Sequence, residues 1–157
     1  MEKLEDVIFY IMDKSMKVYR QHSQKKLVEA GHTITIDQWL VLTILGSNRN
    51  LSQNDIATKV FKDTASITRI IELMVKAGYL KRTIHSKDRR RMDIGLTKKG
   101  EIELKAVKPI ILNNRKIALQ GISKMELTLL NTLLKKITSN CKIEENKDNK
   151  ITANILH

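Results

Sequence analysis

Ser52-Gln53-Asn54-Asp55-Ile56-Ala57-Thr58-Lys59-Val60-Phe61-Lys62-Asp63-Thr64-Ala65-Ser66-Ile67-Thr68-Arg69-Ile70-Ile71-Glu72-Leu73-Met74-Val75-Lys76-Ala77-Gly78 is the stretch that decides the architecture of this 157-residue chain. Ser52 with Asp55 three residues on is a helix-start signal, and Ile56, Ala57 and Val60 form the inner face of a short helix. Phe61-Lys62-Asp63 is a short turn. Beyond it Ile67, Ile70, Ile71 and Met74 fall on one helical stripe, Ala65, Ser66, Thr68, Arg69, Glu72 and Lys76 point elsewhere, and Gly78 ends the helix. Two short helices joined by three residues predict a helix-turn-helix. The outward face of its second helix is small and polar, with one arginine near its beginning.

Past Gly78 the period changes from helical to alternating. Met92, Ile94 and Leu96 share one side of a strand, Asp93 and Gly95 the other, and residues 79–85 supply an antiparallel partner. The connection Ser86-Lys87-Asp88-Arg89-Arg90-Arg91 lacks Gly, Asn and apolar residues, which predicts an extended exposed loop rather than a tight two-residue turn. Thr97 then caps a long helix with Ile102, Ala106, Ile110 and Ile117 along one line and a kink at Pro109. Ser123 with Glu126 opens a last helix lined by Leu127, Leu130, Leu133, Leu134 and Ile137.

Upstream, Leu4, Val7, Ile8, Ile11, Met12 and Val18 predict an amphipathic helix running to about Ala30 and stopped by Gly31. Thr35 with Gln38 caps a short helix that is apolar nearly all round, carrying Ile36, Trp39, Leu40, Leu42, Ile44 and Leu45 into the core. The fold class is therefore mainly α. A winged helix-turn-helix with a two-stranded wing occupies 34–100, between an N-terminal helix in 1–33 and C-terminal helices in 101–141. The polar residues 142–157 are expected to be a flexible tail. The first and last helices carry apolar stripes too long for one small lobe to cover, which predicts a homodimer.

Composition narrows the function classes. Twenty-nine Lys and Arg face seventeen Asp and Glu, a formal charge of +12, and either a polyanionic partner or the basic drift of Lys-rich proteins from AT-rich genomes accounts for that number by itself. Position decides between them. Residues 34–100 hold thirteen cations against six acids, and six of the thirteen lie between Lys81 and Arg91, opposed only by Asp88. A basic hairpin tip beside a polar helix bearing Arg69 offers a groove-reading element and a phosphate clamp together. The single cysteine, Cys141, excludes an intramolecular disulfide framework, and His22, His32 and His85 lack metal-ligand spacing, so no metal site and no cofactor are expected. No glycine-rich phosphate loop or nucleophile–histidine pairing points to an enzyme. A start without a secretory pattern, and no apolar run near about 18 residues, lead to the expectation of a soluble cytoplasmic protein without membrane contact. The rival class, a winged-helix protein-interaction module that does not bind DNA, would favour aromatic and apolar residues on the wing rather than arginines.

In their order and spacing, Leu51-Ser52, Asp55-Ile56-Ala57, Asp63, Ser66-Ile67-Thr68-Arg69-Ile70-Ile71, Lys76-Ala77-Gly78-Tyr79-Leu80-Lys81-Arg82, Asp88-Arg89-Arg90 and Leu96-Thr97-Lys98-Lys99-Gly100 resemble the multiple antibiotic resistance regulator (MarR) family of bacterial transcription factors. The resemblance covers about Ile34 to Leu104. It implies an obligate homodimer, in which the first and the last two helices interlock, that straddles a pseudo-palindromic duplex operator as a transcriptional regulator. It places Ala65, Ser66, Thr68 and Arg69 on the major-groove side of the second helix, Arg89, Arg90 and Arg91 on the wing with Arg90 entering the minor groove, and Asp88 bracing the wing by pairing with an arginine. Arg91 stands where relatives often carry a small or uncharged residue, and it is read equally well as a phosphate contact and as a solvated side chain. Family members often release DNA when an aromatic or phenolic effector enters a pocket between the dimerisation helices and the winged lobe, which makes a repressor the expected output. Tyr10, Tyr19, His22 and Trp39 are the candidate walls of such a pocket, each with an equally good reading as a packing residue.

Overall fold

A computed structural model describes the backbone of residues 3–48 and 51–155, with side chains except at 91 and from 143 onward. The chain divides into two units, residues 1–118 and 119–157. In the first, a 3₁₀ turn at Leu4–Asp6 precedes α1 (Ile8–Glu29), α2 (Ile36–Ser47), α3 (Gln53–Val60), α4 (Thr64–Lys76), the hairpin β1 (Leu80–His85) and β2 (Asp88–Leu96), and α5 (Lys98–Ala118). The second unit carries α6 (Lys124–Ile155). The mainly helical winged architecture expected from the sequence is present. No described helix is long and apolar enough to cross a membrane.

Capping residues set these boundaries. Thr35 with Gln38 and Ser52 with Asp55 form reciprocal capping boxes, and Ser123 with Glu126 does the same before α6. Each satisfies backbone N–H groups that a helix start would leave unpaired. α1, α3 and α4 end in one shared geometry, in which the residue past the helix takes a left-handed backbone and the following N–H donates five residues back: His32 to Leu27, Lys62 to Ala57, Tyr79 to Met74. Gly31 (φ +85°) and Gly78 (φ +79°) fill the left-handed position twice. At the third stands Phe61, at φ 55°, a conformation that is sterically unfavourable for a bulky side chain. Its ring is 93% exposed, so little packing is lost without it. Phe61→Gly should therefore leave stability unchanged or raise it by up to roughly 1 kcal/mol, read as the midpoint of thermal unfolding.

The core joins Leu27 and Ile34 to Val41 and Leu42 of α2, Ile56 of α3, Ile67, Ile71 and Met74 of α4, Leu80 and Ile94 of the wing base, and Val107 and Ile111 of α5. Trp39, Leu40 and Ile44 are only partly covered. Three expectations need correction. The tip of the wing is a tight turn, because His85 pairs with Asp88 across Ser86-Lys87. Side chains supply what glycine would have: the Lys87 N–H donates to His85 Nδ1 at 3.2 Å and the Arg90 N–H to Asp88 Oδ1 at 2.9 Å. Between the pairs Ile84↔Met92 and His85↔Asp88, residues 89–91 form a bulge. On α5 the buried line is Val107, Ile111 and Asn114, with Leu104 packed alongside, and not the line of Ile102 and Ile117, which stay 58% and 45% exposed. Gly100, pressed on the chain at Tyr79, fixes which face of α5 turns inward. Finally, α6 does not stop at Cys141; its backbone runs on to Ile155, since no Gly or Pro follows Gly121 to break it. The side chains of the 143–157 tail lie outside the described residues.

Candidate nucleic-acid interface

The second helix of the pair, α4, opens on an Asp63 cap that occupies Ser66. The Ser66 N–H donates to Asp63 Oδ1 at 2.8 Å and its hydroxyl to Oδ2 at 2.6 Å. The Ser66 hydroxyl and N–H hold the Asp63 carboxyl below its ordinary range. Thr68 is half-buried and similarly engaged. Its hydroxyl donates to its own helix at Thr64 O, 2.7 Å away, and accepts a hydrogen bond from Gln53 Nε2 of α3. The Thr68 hydroxyl is thus tied back to its own helix, and Gln53, which no sequence signal marked, ties the two helices together. Ala65 and Arg69 are exposed. Arg69 has no ion-pair partner among the described residues, so near the start of this face its guanidinium is open to a ligand.

The wing places Arg89 and Arg90 in the exposed bulge. Asp88 braces it through the Arg90 backbone N–H, and among the described residues no guanidinium pairs with it as the resemblance implied, because a carboxylate two residues upstream meets the amide before it can meet the long side chain. The Arg91 side chain lies outside the described residues. At the base Ile94 and Asp93 are both buried, and the Ile94 N–H donates to Leu51 O at 3.2 Å, so Leu51 adds a single antiparallel bridge beside β2.

Asp37 of α2 links the reading lobe to α1. It accepts from Arg20 of α1 and lies 3.0 Å from Lys62 Nζ in the helix-turn-helix turn. Burial pushes its carboxyl up, but Lys62 and Arg20 outweigh burial and hold it below the usual carboxylate range. A group whose value falls on folding stabilises above its unfolded range and loses that contribution as pH falls through the lowered value. Asp37→Asn should therefore be less stable than wild type at neutral pH by roughly 1 kcal/mol, the scale of a partly exposed ion pair. The two proteins should converge in acid; urea midpoints across pH 2–7 check this.

Tyr10, Tyr19 and His22 come together as the sequence reading grouped them. With Val18, Ile117 and other residues they line a hollow of about 560 Å³. Trp39 does not join them. It faces the Arg115 guanidinium, 5.7 Å from its ring centroid, in a separate hollow of about 270 Å³ with Thr43 and Leu104. It sits on α2, whose partner here is α5, whereas the tyrosines sit on α1.

The chain matches the MarR family over residues 34–92. It is 32% identical over 71 residues to the HTH-type transcriptional regulator TtmR of Methylorubrum extorquens, a match covering 45% of this chain and only 36% of that one. It is 27% identical over 135 residues to the HTH-type transcriptional regulator MgrA of Staphylococcus aureus, covering 85% and 88%. Its fold is similar to that of a probable transcriptional regulator from Pseudomonas aeruginosa, with a TM-score of 0.78, 27% identity, and coverage of 86% of this chain and 99% of that one. It is also similar to S. aureus MepR, solved as a DNA complex, with a TM-score of 0.79, 22% identity, and coverage of 88% and 99%. The stretch similar to the MarR family, residues 34–92, is the one that holds the helix-turn-helix and most of the wing hairpin.

Proposed function

We propose that this protein is a homodimeric, sequence-specific double-stranded DNA-binding regulator acting in the cytoplasm, with Arg69 reading the major groove and the wing arginines clamping the flanking backbone and minor groove. The observation that carries this reading is a division of labour within one lobe. The side-chain hydroxyls of Ser66 and Thr68 are spent on holding α4, while the guanidinium of Arg69 and those of Arg89 and Arg90 have no partner among the described residues. A cation left unpaired beside a fixed helix suits an anionic partner with periodic grooves. MepR, whose fold this chain shares, binds DNA. The test is retardation of a duplex selected from a random pool, titrated with salt. Binding that ignores salt or sequence would defeat the reading.

The dimer rests on apolar surface that each unit leaves open by itself. On the first unit, Ile8, Ile11 and Val18 of α1 and Ile102, Leu112 and Ile117 of α5 are exposed; on the second, Met125, Leu129 and Leu133 of α6. Faces of this kind on a soluble chain mark an interface. Light scattering is expected to give twice 18.1 kDa, and a monomer at micromolar concentration would remove the two-fold operator geometry with it.

Repression relieved by a small molecule is the regulatory part of the proposal. The hollow beside Tyr10, Tyr19 and His22 has apolar walls and a few polar tips, the chemistry of a site for an aromatic or phenolic effector. Release of the retarded duplex by a panel of phenols and aromatic acids, and loss of that release in Tyr19→Ala, would support it.

A further inference from the structure

The turn between α3 and α4 presents an apolar ring where the backbone favours glycine. At the equivalent ends of α1 and α4 the chain places Gly31 and Gly78; here it places Phe61, left-handed and 93% exposed. Internal packing does not hold the ring there. Its position is two residues before the Asp63 cap, so it flanks the N-terminus of α4 alongside exposed Ala65 and Ser66. The two charged residues that follow it in the turn already have partners. Lys62 pairs inward with Asp37 at 3.0 Å, and both Asp63 oxygens accept from Ser66. The one ammonium of this turn is drawn toward Asp37, and an ionised carboxylate stands beside the ring. What faces outward is a hydrocarbon surface.

The apolar feature of the major groove is the thymine C5-methyl group, which aromatic and aliphatic side chains contact. One helical turn is about 5.4 Å and bases along a strand are about 3.4 Å apart. A ring two residues before the α4 cap stands at the edge of the base pairs that the first turn of α4 would meet. We propose that Phe61 is a specificity-determining residue that reads thymine methyl groups at the edge of each half-site. This rests on the DNA-binding reading above and adds a base preference to it.

The test uses the full-length protein and a duplex selected by it from a random pool, remade with deoxyuridine for thymidine one flank at a time. Each replacement removes only a methyl group. For the wild type, deoxyuridine at the contacted position should weaken binding by about fourfold per half-site, the factor for one buried methylene. F61G and F61A should lose about that factor on the thymidine duplex and bind thymidine and deoxyuridine duplexes alike. Urea midpoints no lower than that of the wild type exclude a loss of fold in the two variants, and F61A keeps a β-carbon while F61G frees the backbone, so concordance assigns the loss of binding to the ring. Variants that bind as tightly as wild type and keep the methyl dependence would overturn the inference alone. So would a loss of affinity that is equal on both duplexes, which is the signature of sugar packing or a protein contact. A wild type that retains no duplex overturns the DNA reading, and this inference with it.

Discussion

Gly100→Ala is expected to lower stability by roughly 3 kcal/mol, at the upper end of the range for forcing a methyl group into a packed site. A β-carbon at Gly100 would stand 2.2 Å from the Tyr79 carbonyl oxygen and 3.2 Å from its carbon. Both are backbone atoms, so no side chain can rotate away. Neither wall is free to retreat. The Tyr79 carbonyl accepts from the Thr97 N–H at 3.1 Å, and the Thr97 hydroxyl donates to Gly78 O at 2.6 Å while accepting from the Gly100 N–H at 3.1 Å. Relief requires the start of α5 to move off the end of α4, which also loosens Val107 and Ile111 from the core. For a chain of this length about 3 kcal/mol corresponds to a fall in Tm of roughly 10 °C. Gly95→Ala is the control, since its β-carbon would meet Lys81 Cε at 3.8 Å, an ordinary contact. Equal melting temperatures for the two variants would show that α5 adjusts and that the close approach is dispensable.

That contact shows why parts of the fold were legible and others not. Capping pairs such as Thr35/Gln38 and Ser52/Asp55 are local: the residues that make the bonds stand three apart, so the chain declares them. The α4 stripe was equally plain, because a short helix with one apolar face has one way to turn. α5 had two candidate faces at helical spacing, one through Ile102 and Ile117 and one through Leu104, Val107 and Ile111. What chose between them was Gly100 against Tyr79, a contact 21 residues apart in sequence. The apolar line that lost is not an error of composition; it is the surface on which the dimer proposal rests.

The candidate interface divides in the same way. Arg69 and the wing arginines were found through charge density, which needs no geometry. Ser66 and Thr68 were grouped with them through polarity, yet polarity does not say where a hydroxyl's hydrogen bonds go. Asp63 and the Thr64 carbonyl claim them, both within one helical turn. The Arg20–Asp37–Lys62 cluster joins three elements and leaves no pattern in one dimension. Phe61 was visible as a residue but not as an exposed one, since a phenylalanine in a turn ordinarily folds inward.

Arg90→Ala should weaken DNA binding by about 1–3 kcal/mol, roughly 5- to 150-fold, with stability changed by no more than about 0.5 kcal/mol. The two numbers part company because of where the residue sits. Arg90 lies in the exposed bulge of β2, and the fold uses only its backbone N–H, which Asp88 holds at 2.9 Å. Alanine keeps that bond and deletes only the solvated side chain. The lost binding would come from a guanidinium carried on a braced backbone, so less ordering is required when it enters a groove. A narrow AT-rich minor groove concentrates negative potential, so the variant should lose more on AT-flanked than on GC-flanked sites. Its plot of log affinity against log salt should be shallower by about one unit. Lys87→Ala separates charge from placement: it removes a cation from the same tip without touching the bulge, and its deficit should not depend on the flanking sequence. Asp88→Ala leaves the arginine in place but frees its amide, and should reproduce part of the Arg90→Ala loss. If Arg90→Ala binds AT-flanked duplex as tightly as wild type at matched salt, the wing does not enter the minor groove, and the positive tip acts only through its field.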